Sequence, residues 1–226
     1  MIKVAVWGTG MMGQGLLGYI LDRPNDVELV GAIVTNPAKE GKSVGELLGR
    51  TCDVCMTTDA AAVLAKQPDV VCICTQSNLD EIAEQVETVV RAGSNVLCIA
   101  EKLAYPWASD PDWAERFEEL AMEHDVSILG TGINPGFILD ALIVAWTSIC
   151  LRIDRIEAQR VNDLSPFGPT VMASQGVGTT VAEFERGVAD GTIVGHIGFP
   201  ESIHLIADAI GWEIDEIVET REPIVT

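Results

Sequence analysis

Basic residues are scarce in this sequence. Fourteen Lys and Arg stand against 34 Asp and Glu, a formal net charge of −20 over 226 residues. Such a chain repels phosphate, which argues against a nucleic-acid partner. The N-terminus lacks a long apolar run with a small-residue cleavage site. The most apolar later stretch, Phe137 to Leu151, is interrupted by Asp140 and is short for a bilayer span. No membrane partner is expected. Cysteine is too sparse for a disulfide-stapled miniprotein, with six in the chain. Cys72, Cys74 and Cys98 fall in apolar strand-like runs, where a reduced thiol acts as a small hydrophobe. A reducing, cytoplasmic setting is expected. Cys52-Asp53-Val54-Cys55 is a C-x-x-C, but neither a second pair nor a His cluster completes a zinc site. It also reads as strand, whereas a redox pair needs a helix N-terminus, so no metal is expected. A G-x-S-x-G elbow, internal repeats and low-complexity tracts are all missing.

What is present is an apolar fraction of 48%, enough for a globular core. The first two-thirds alternates strand and helix signals. Ile2–Trp7, Val27–Val34, Val70–Cys74, Val96–Ala100 and Val126–Leu129 read as strands, with a weaker one at Cys52–Met56. Met11–Leu21, Ala60–Ala65, Leu79–Arg91 and a helix from Asp110-Pro111 to about His124 lie between them. Continuous apolar strands separated by helices imply a parallel sheet covered on both faces. The predicted fold class is α/β: a doubly wound Rossmann sheet over residues 1–130, then a smaller α+β domain over 131–226. In that second part Phe137–Leu151, Val181–Val188 and Ser202–Ile210 read as helices. Arg155–Val161 and Glu213–Thr220 read as strands, and Asp163–Thr180 as a loop. The chain ends on what reads as the start of a strand, so the second domain is expected to be incomplete.

Gly8-Thr9-Gly10-Met11-Met12-Gly13 is G-x-G-x-x-G. It follows an apolar strand and opens an apolar helix, the context in which this string signals a dinucleotide site. Gly8 serves the tight turn, Gly10 the approach of a pyrophosphate, and Gly13 close packing of helix on strand. The helix N-terminus offers N–H groups to phosphate whatever the net charge. The end of the second strand, Thr35-Asn36-Pro37-Ala38-Lys39, carries no carboxylate for a ribose 2′-hydroxyl. Thr35 and Asn36 suit a hydroxyl or a phosphate, and Lys39 would pair with a 2′-phosphate. This favours NADP and leaves NAD open, with solvated loop charge as the alternative reading of Lys39. Thr75 and Ala100, at the ends of the fourth and fifth strands, should border ribose and nicotinamide. Glu101 and Lys102 would then lie near the reacting carbon.

Gly130-Thr131-Gly132-Ile133-Asn134-Pro135-Gly136-Phe137, followed by Asp140-Ala141-Leu142, is a more specific block. A second comprises Gly195-His196-Ile197-Gly198, Glu201-Ser202, Ile206-Ala207 and Gly211-Trp212. With these the sequence resembles the dihydrodipicolinate-reductase-like oxidoreductases, and among them the diaminopentanoate dehydrogenases. The resemblance implies NAD(P)-dependent oxidative deamination of 2,4-diaminopentanoate, in ornithine breakdown, to 2-amino-4-oxopentanoate and ammonia. It also implies a homodimer joined through the second domain. Dihydrodipicolinate reductases carry a His-His…Lys stretch with Ser-Gly-Thr. Arg160-Val161-Asn162-Asp163…Gly176-Val177-Gly178-Thr179 lacks both His and Lys, which weakens that branch. Diaminopentanoate dehydrogenases tend to place a second acidic residue where this chain has Lys102.

Oxidising an amine needs a base to deprotonate the ammonium. A small diamino acid also needs acceptors for its second ammonium and donors for its carboxylate. His196, Glu101 and Asn134 are the candidate catalytic residues, with Lys102, Asp140 and Arg160 behind them. His196 titrates nearest neutrality, though a His satisfying local hydrogen bonds is the plainer reading. Asn134 suits a helix-opening turn as well as a ligand contact, and Asp140 faces either the cleft or water. Two alternatives stay open: an oxidoreductase of this architecture acting on another small substrate, and a nucleotide-binding protein without turnover.

Overall fold

The strand–helix alternation closes into one parallel sheet. The structure is a computed structural model in which residues 1–225 are described. Strand β1 (Ile2–Trp7) leads through helix α1 (Met11–Leu21) to β2 (Val27–Ile33), then to α2 (Val44–Leu48) and β3 (Met56–Thr57). The chain continues through α3 (Ala60–Leu64), β4 (Val70–Ile73), α4 (Leu79–Arg91), β5 (Asn95–Cys98), α5 (Pro111–Glu123) and β6 (Ile128–Gly130). The six strands lie in the order β3-β2-β1-β4-β5-β6, and each neighbouring pair is parallel. Strand order reverses between β1 and β4, where Val4–Trp7 align with Val70–Ile73. In doubly wound sheets this reversal opens a crevice at the carboxyl ends.

Period-two alternation sorts each strand's side chains to opposite faces. Val4 and Val6 join Leu17, Ile20, Ala32, Val44 and Met56 on one side of the sheet. Ala5 joins Val71, Ile73, Ile82, Val86, Val89 and Phe117 on the other. Both faces are covered, which is why the strands read as unbroken apolar runs. Burying one such side chain contributes roughly 1.5–3 kcal/mol, so the two layers hold the crevice rigidly.

The expected strand at Cys52–Met56 is smaller and shifted. Only Met56 and Thr57 pair with the end of β2. Residues 52–55 instead return along the start of α2, where Val44 N–H donates to the Val54 carbonyl at 2.8 Å and Gly45 N–H to Cys52 at 3.2 Å.

The second part contributes helices α6 (Ala141–Thr147), α7 (Pro169–Ser174), α8 (Val181–Asp190) and α9 (Phe199–Ile210). Thr180 and Glu183 form a reciprocal capping box at the start of α8, which fixes that helix end. The helix expected over Phe137–Leu151 is shorter because Asp140 caps it from outside, its Oδ1 accepting from Ala141 N–H at 2.6 Å. Arg155–Val161 and Glu213–Thr220 do not form strands; they join no ladder among the described residues. Alternating polarity gives a segment two faces, but a strand also needs a neighbour for its backbone groups. Helix α7 lies within the stretch expected to be loop.

Candidate active site

The G-x-G-x-x-G turn sits at the strand-order reversal. Gly8 has φ +103°, and a Cβ there would stand 2.6 Å from the Cys74 carbonyl oxygen. A Cβ on Gly13 would stand 1.9 Å from the Gly8 carbonyl oxygen. Strand ends and helix are therefore locked backbone to backbone. Gly10 differs: its backbone is extended, and no atom lies within 4 Å of where its Cβ would be. That empty space faces a cavity of about 460 Å³ lined by Gly8, Thr9, Gly10 and Lys39, with Thr75 and Gln76 from the β4 end. A ligand phosphate fits there, between the open Gly10 backbone and the free N–H groups of α1.

The remaining cavity wall mixes Val34 and Cys74 with polar side chains. Thr35 and Asn36 stand at the β2 end, and Asn36 Oδ1 is occupied by Ala38 N–H at 2.9 Å. The Lys39 ammonium reaches back across the cleft to Thr9, 2.7 Å from its carbonyl oxygen and 3.0 Å from its hydroxyl. Opposite, Thr75 Oγ1 donates to Gln85 Oε1 at 2.7 Å. Glu81 and Gln85, one turn apart on α4, line the cavity as well. Neither is among the residues expected from the sequence, although an i, i+4 pair just after a strand's carboxyl end is a usable signal.

A second locus forms where the two parts of the chain meet. Asn134 Nδ2 lies 2.7 Å from His196 Nε2. Gly198, two residues on, is buried between Pro135 and Glu101: a Cβ there would be 2.2 Å from Pro135 Cγ and 3.3 Å from Glu101 Cβ. The structure thus brings Asn134 to His196 and Glu101 to Gly198, from segments far apart in sequence. The His196 ring meets Phe199 edge-on at 4.8 Å. Burial, with Arg160 second, pushes the imidazole below its ordinary value, because both penalise the charged ring. Asn134 Oδ1 is buried without a partner. The two ends of an amide are assigned from their surroundings. Turning this one leaves His196 Nε2–H donating to Asn134 Oδ1 and Nδ1 free to take a proton.

Several expected site residues lie elsewhere. Ala100 is 1% exposed and packs in the core, so its side chain cannot border a ligand. Met11 and Met12 are half exposed and do not line the cavity; they offer only first-turn backbone. Gly13 is internal packing. Lys102 pairs with Asp110 at 3.2 Å, so Asp110 leaves the α5 N-terminus uncapped by its side chain. Asp140 faces neither cleft nor water, being fully buried.

Comparison with known proteins agrees with this architecture. Residues 2–131 match the family model described as oxidoreductase family, NAD-binding Rossmann fold. Residues 137–226 match that of the 2,4-diaminopentanoate dehydrogenase C-terminal domain. A 2,4-diaminopentanoate dehydrogenase of Acetoanaerobium sticklandii is 42% identical over 234 residues, covering 100% of this chain and 65% of the relative. An amine dehydrogenase of Streptomyces virginiae is 30% identical, covering 98% of the chain and 63% of the relative. Among solved structures, an amine dehydrogenase from Mycobacterium smegmatis superposes with a TM-score of 0.79 at 28% identity, over 95% of this chain and 63% of that one. The chain spans just under two thirds of the length of these relatives. By its N-terminal 130 residues, with their glycine turn at the strand-order reversal, the chain belongs to the oxidoreductase family with an NAD-binding Rossmann fold.

Proposed function

We propose that this chain carries an NAD(P)-dependent oxidative deamination of 2,4-diaminopentanoate, giving 2-amino-4-oxopentanoate and ammonia. The observation that carries the reading is the match of residues 137–226 to the 2,4-diaminopentanoate dehydrogenase C-terminal domain. The contact of Asn134 with His196, and of Glu101 with Gly198 two residues on, supports it. Residues 1–130 hold the dinucleotide and residues 131–226 the substrate. Gly8, Thr9, Gly10, Thr35, Asn36, Lys39 and Thr75 hold the cofactor, with the backbone of Met11 and Met12. When bound, the cofactor supplies the hydride acceptor.

The chain's own residues supply proton handling and placement. His196 is neutral at neutral pH, because its imidazole is held below the ordinary histidine value. It therefore takes the proton from the substrate ammonium and leaves a free amine for oxidation. Asn134 holds the ring so that Nδ1 faces the substrate. Glu101, at the start of the 3-10 turn Glu101–Ala104, accepts the second ammonium. Water then releases ammonia. Lys39 favours NADP. The protein works as a cytoplasmic homodimer in ornithine degradation.

A substrate screen tests this, following NAD(P)H absorbance with NAD+ and NADP+ against 2,4-diaminopentanoate, diaminopimelate, ornithine and 3-hydroxy acids. Turnover of 2,4-diaminopentanoate is expected. Turnover of another compound in its place overturns the substrate, and cofactor binding without any turnover overturns the enzyme.

A further inference from the structure

Asp140 is a carboxylate with 0% exposure. Leaving a charge unpaired in such a place is costly, and three donors surround it. Gly136 N–H donates to Oδ2 at 2.6 Å, Ser202 Oγ to Oδ2 at 2.9 Å, and Ala141 N–H to Oδ1 at 2.6 Å. The Ala141 bond is a local helix cap. The Gly136 bond is also short-range, four residues back, whereas the Ser202 bond crosses 62 positions, so the two point at different segments. Gly136 closes the turn that carries Asn134. Ser202 sits in the first turn of α9, the helix that begins just after His196. One oxygen atom, Oδ2, thus joins the two segments whose side chains meet at the Asn134–His196 contact.

We propose that Asp140 is a positioning residue for the Asn134–His196 pair, its Oδ2 fixing the distance between the Asn134 turn and the start of α9. The inference rests on the role proposed for that pair, but the geometry it concerns is independent of substrate. Asp140 touches neither residue of the pair and lies outside the cofactor cavity. Gly198 packs on Pro135 just before α9, and two further anchors hold the helix itself. Tyr105 donates to Asp208 near its far end, and Ser109 Oγ donates to Glu201 Oε1 at 2.5 Å. Neither reaches the Asn134 turn.

The test reads His196 directly. Its imidazole is titrated by NMR in the full chain, with His124, at the end of α5 and outside α9, as the internal reference. Two variants cut the link, Asp140→Asn and Ser202→Ala. Both are expected to move the His196 midpoint up toward the ordinary histidine range, because a loosened pocket admits water. The sign is diagnostic for Asp140→Asn: losing a negative charge alone would move the midpoint down. Ser202→Ala changes no charge. Tyr105→Phe, which frees α9 elsewhere, is expected to leave the midpoint in place. In turnover, kcat is expected to fall about tenfold or more in both link variants, with cofactor Kd unchanged. Folded variants with lower Tm but an unmoved His196 midpoint would make Asp140 merely structural and overturn the proposal. Should Asp140→Asn fail to fold, Ser202→Ala decides alone. Failure of diaminopentanoate turnover in the parent chain would sink the substrate reading and leave the titration fully informative.

Discussion

The Lys39 ammonium lies 2.7 Å from the carbonyl oxygen of Thr9, the residue between the first two glycines of the turn. A cation from the segment after β2 is therefore held at the mouth of the dinucleotide cavity. A charge-assisted hydrogen bond is worth roughly 1.5–3 kcal/mol, so losing one to a 2′-phosphate costs about tenfold or more in affinity. Lys39→Ala is expected to weaken NADPH binding by that factor and to change NADH binding little, as read by fluorescence titration. Equal losses for both cofactors would contradict the assignment.

Gly10 and Gly13 separate ligand space from packing space. Gly13→Ala places a methyl 1.9 Å from the Gly8 carbonyl oxygen, a backbone clash that cannot be relieved by rotating a side chain. A clear drop in Tm is expected. Gly10→Ala meets no protein atom within 4 Å, and its extended backbone suits any residue. Tm should stay within a degree or two, while cofactor Kd rises about tenfold or more. The pair of measurements, calorimetry and equilibrium binding, checks both.

The pH profile follows from His196. A base works when deprotonated, so kcat/KM should fall on the acid side with a midpoint below the ordinary value of about 6.5. The same group makes the folded state less willing than the unfolded chain to take a proton. Its contribution to stability is therefore present above the unfolded value and lost as pH falls. Asn134→Asp places a carboxylate beside the ring and should move the acid limb upward. An unmoved limb would take His196 out of the profile.

Tyr105 donates to Asp208, and that hydrogen bond, with burial second, pushes the phenol up to about 12. Ultraviolet titration should show a tyrosine component ionising only near that pH, absent in Tyr105→Phe. The lost hydrogen bond should cost about 1 kcal/mol in denaturant unfolding.

Thiol reactivity should divide by burial. Cys72 is pushed up to about 11, and Cys74 and Cys98 to about 12, chiefly by burial. Cys55 and Cys150 are exposed. A chromogenic disulfide reagent should label the exposed pair quickly and reach Cys72 and Cys98 only on unfolding. Early labelling of Cys98 would contradict the packed sheet.

Local signals located the elements wherever burial was one-sided or complete. Ile2–Trp7, Met11–Leu21 and Leu79–Arg91 stand where periodicity put them, since a strand or helix with a sheet on one side repeats its apolar positions faithfully. Arg155–Val161 has a period too, but only a neighbouring strand turns a period into a ladder. Ala100 stands at a strand end with its side chain in the core, because strand-end position says nothing of whether a side chain points to crevice or core.

The sequence by itself determined the doubly wound domain, the glycine turn and the cofactor class, because each is signalled by residue patterns within short stretches of chain. Tertiary structure alone decided that Asn134 meets His196 across 62 positions, that Lys39 bends back onto Thr9, and that Asp140 is buried between two segments. Those pairings depend on how the chain returns to the crevice. That path is set by packing and by hydrogen bonds between distant residues, and no local pattern records it.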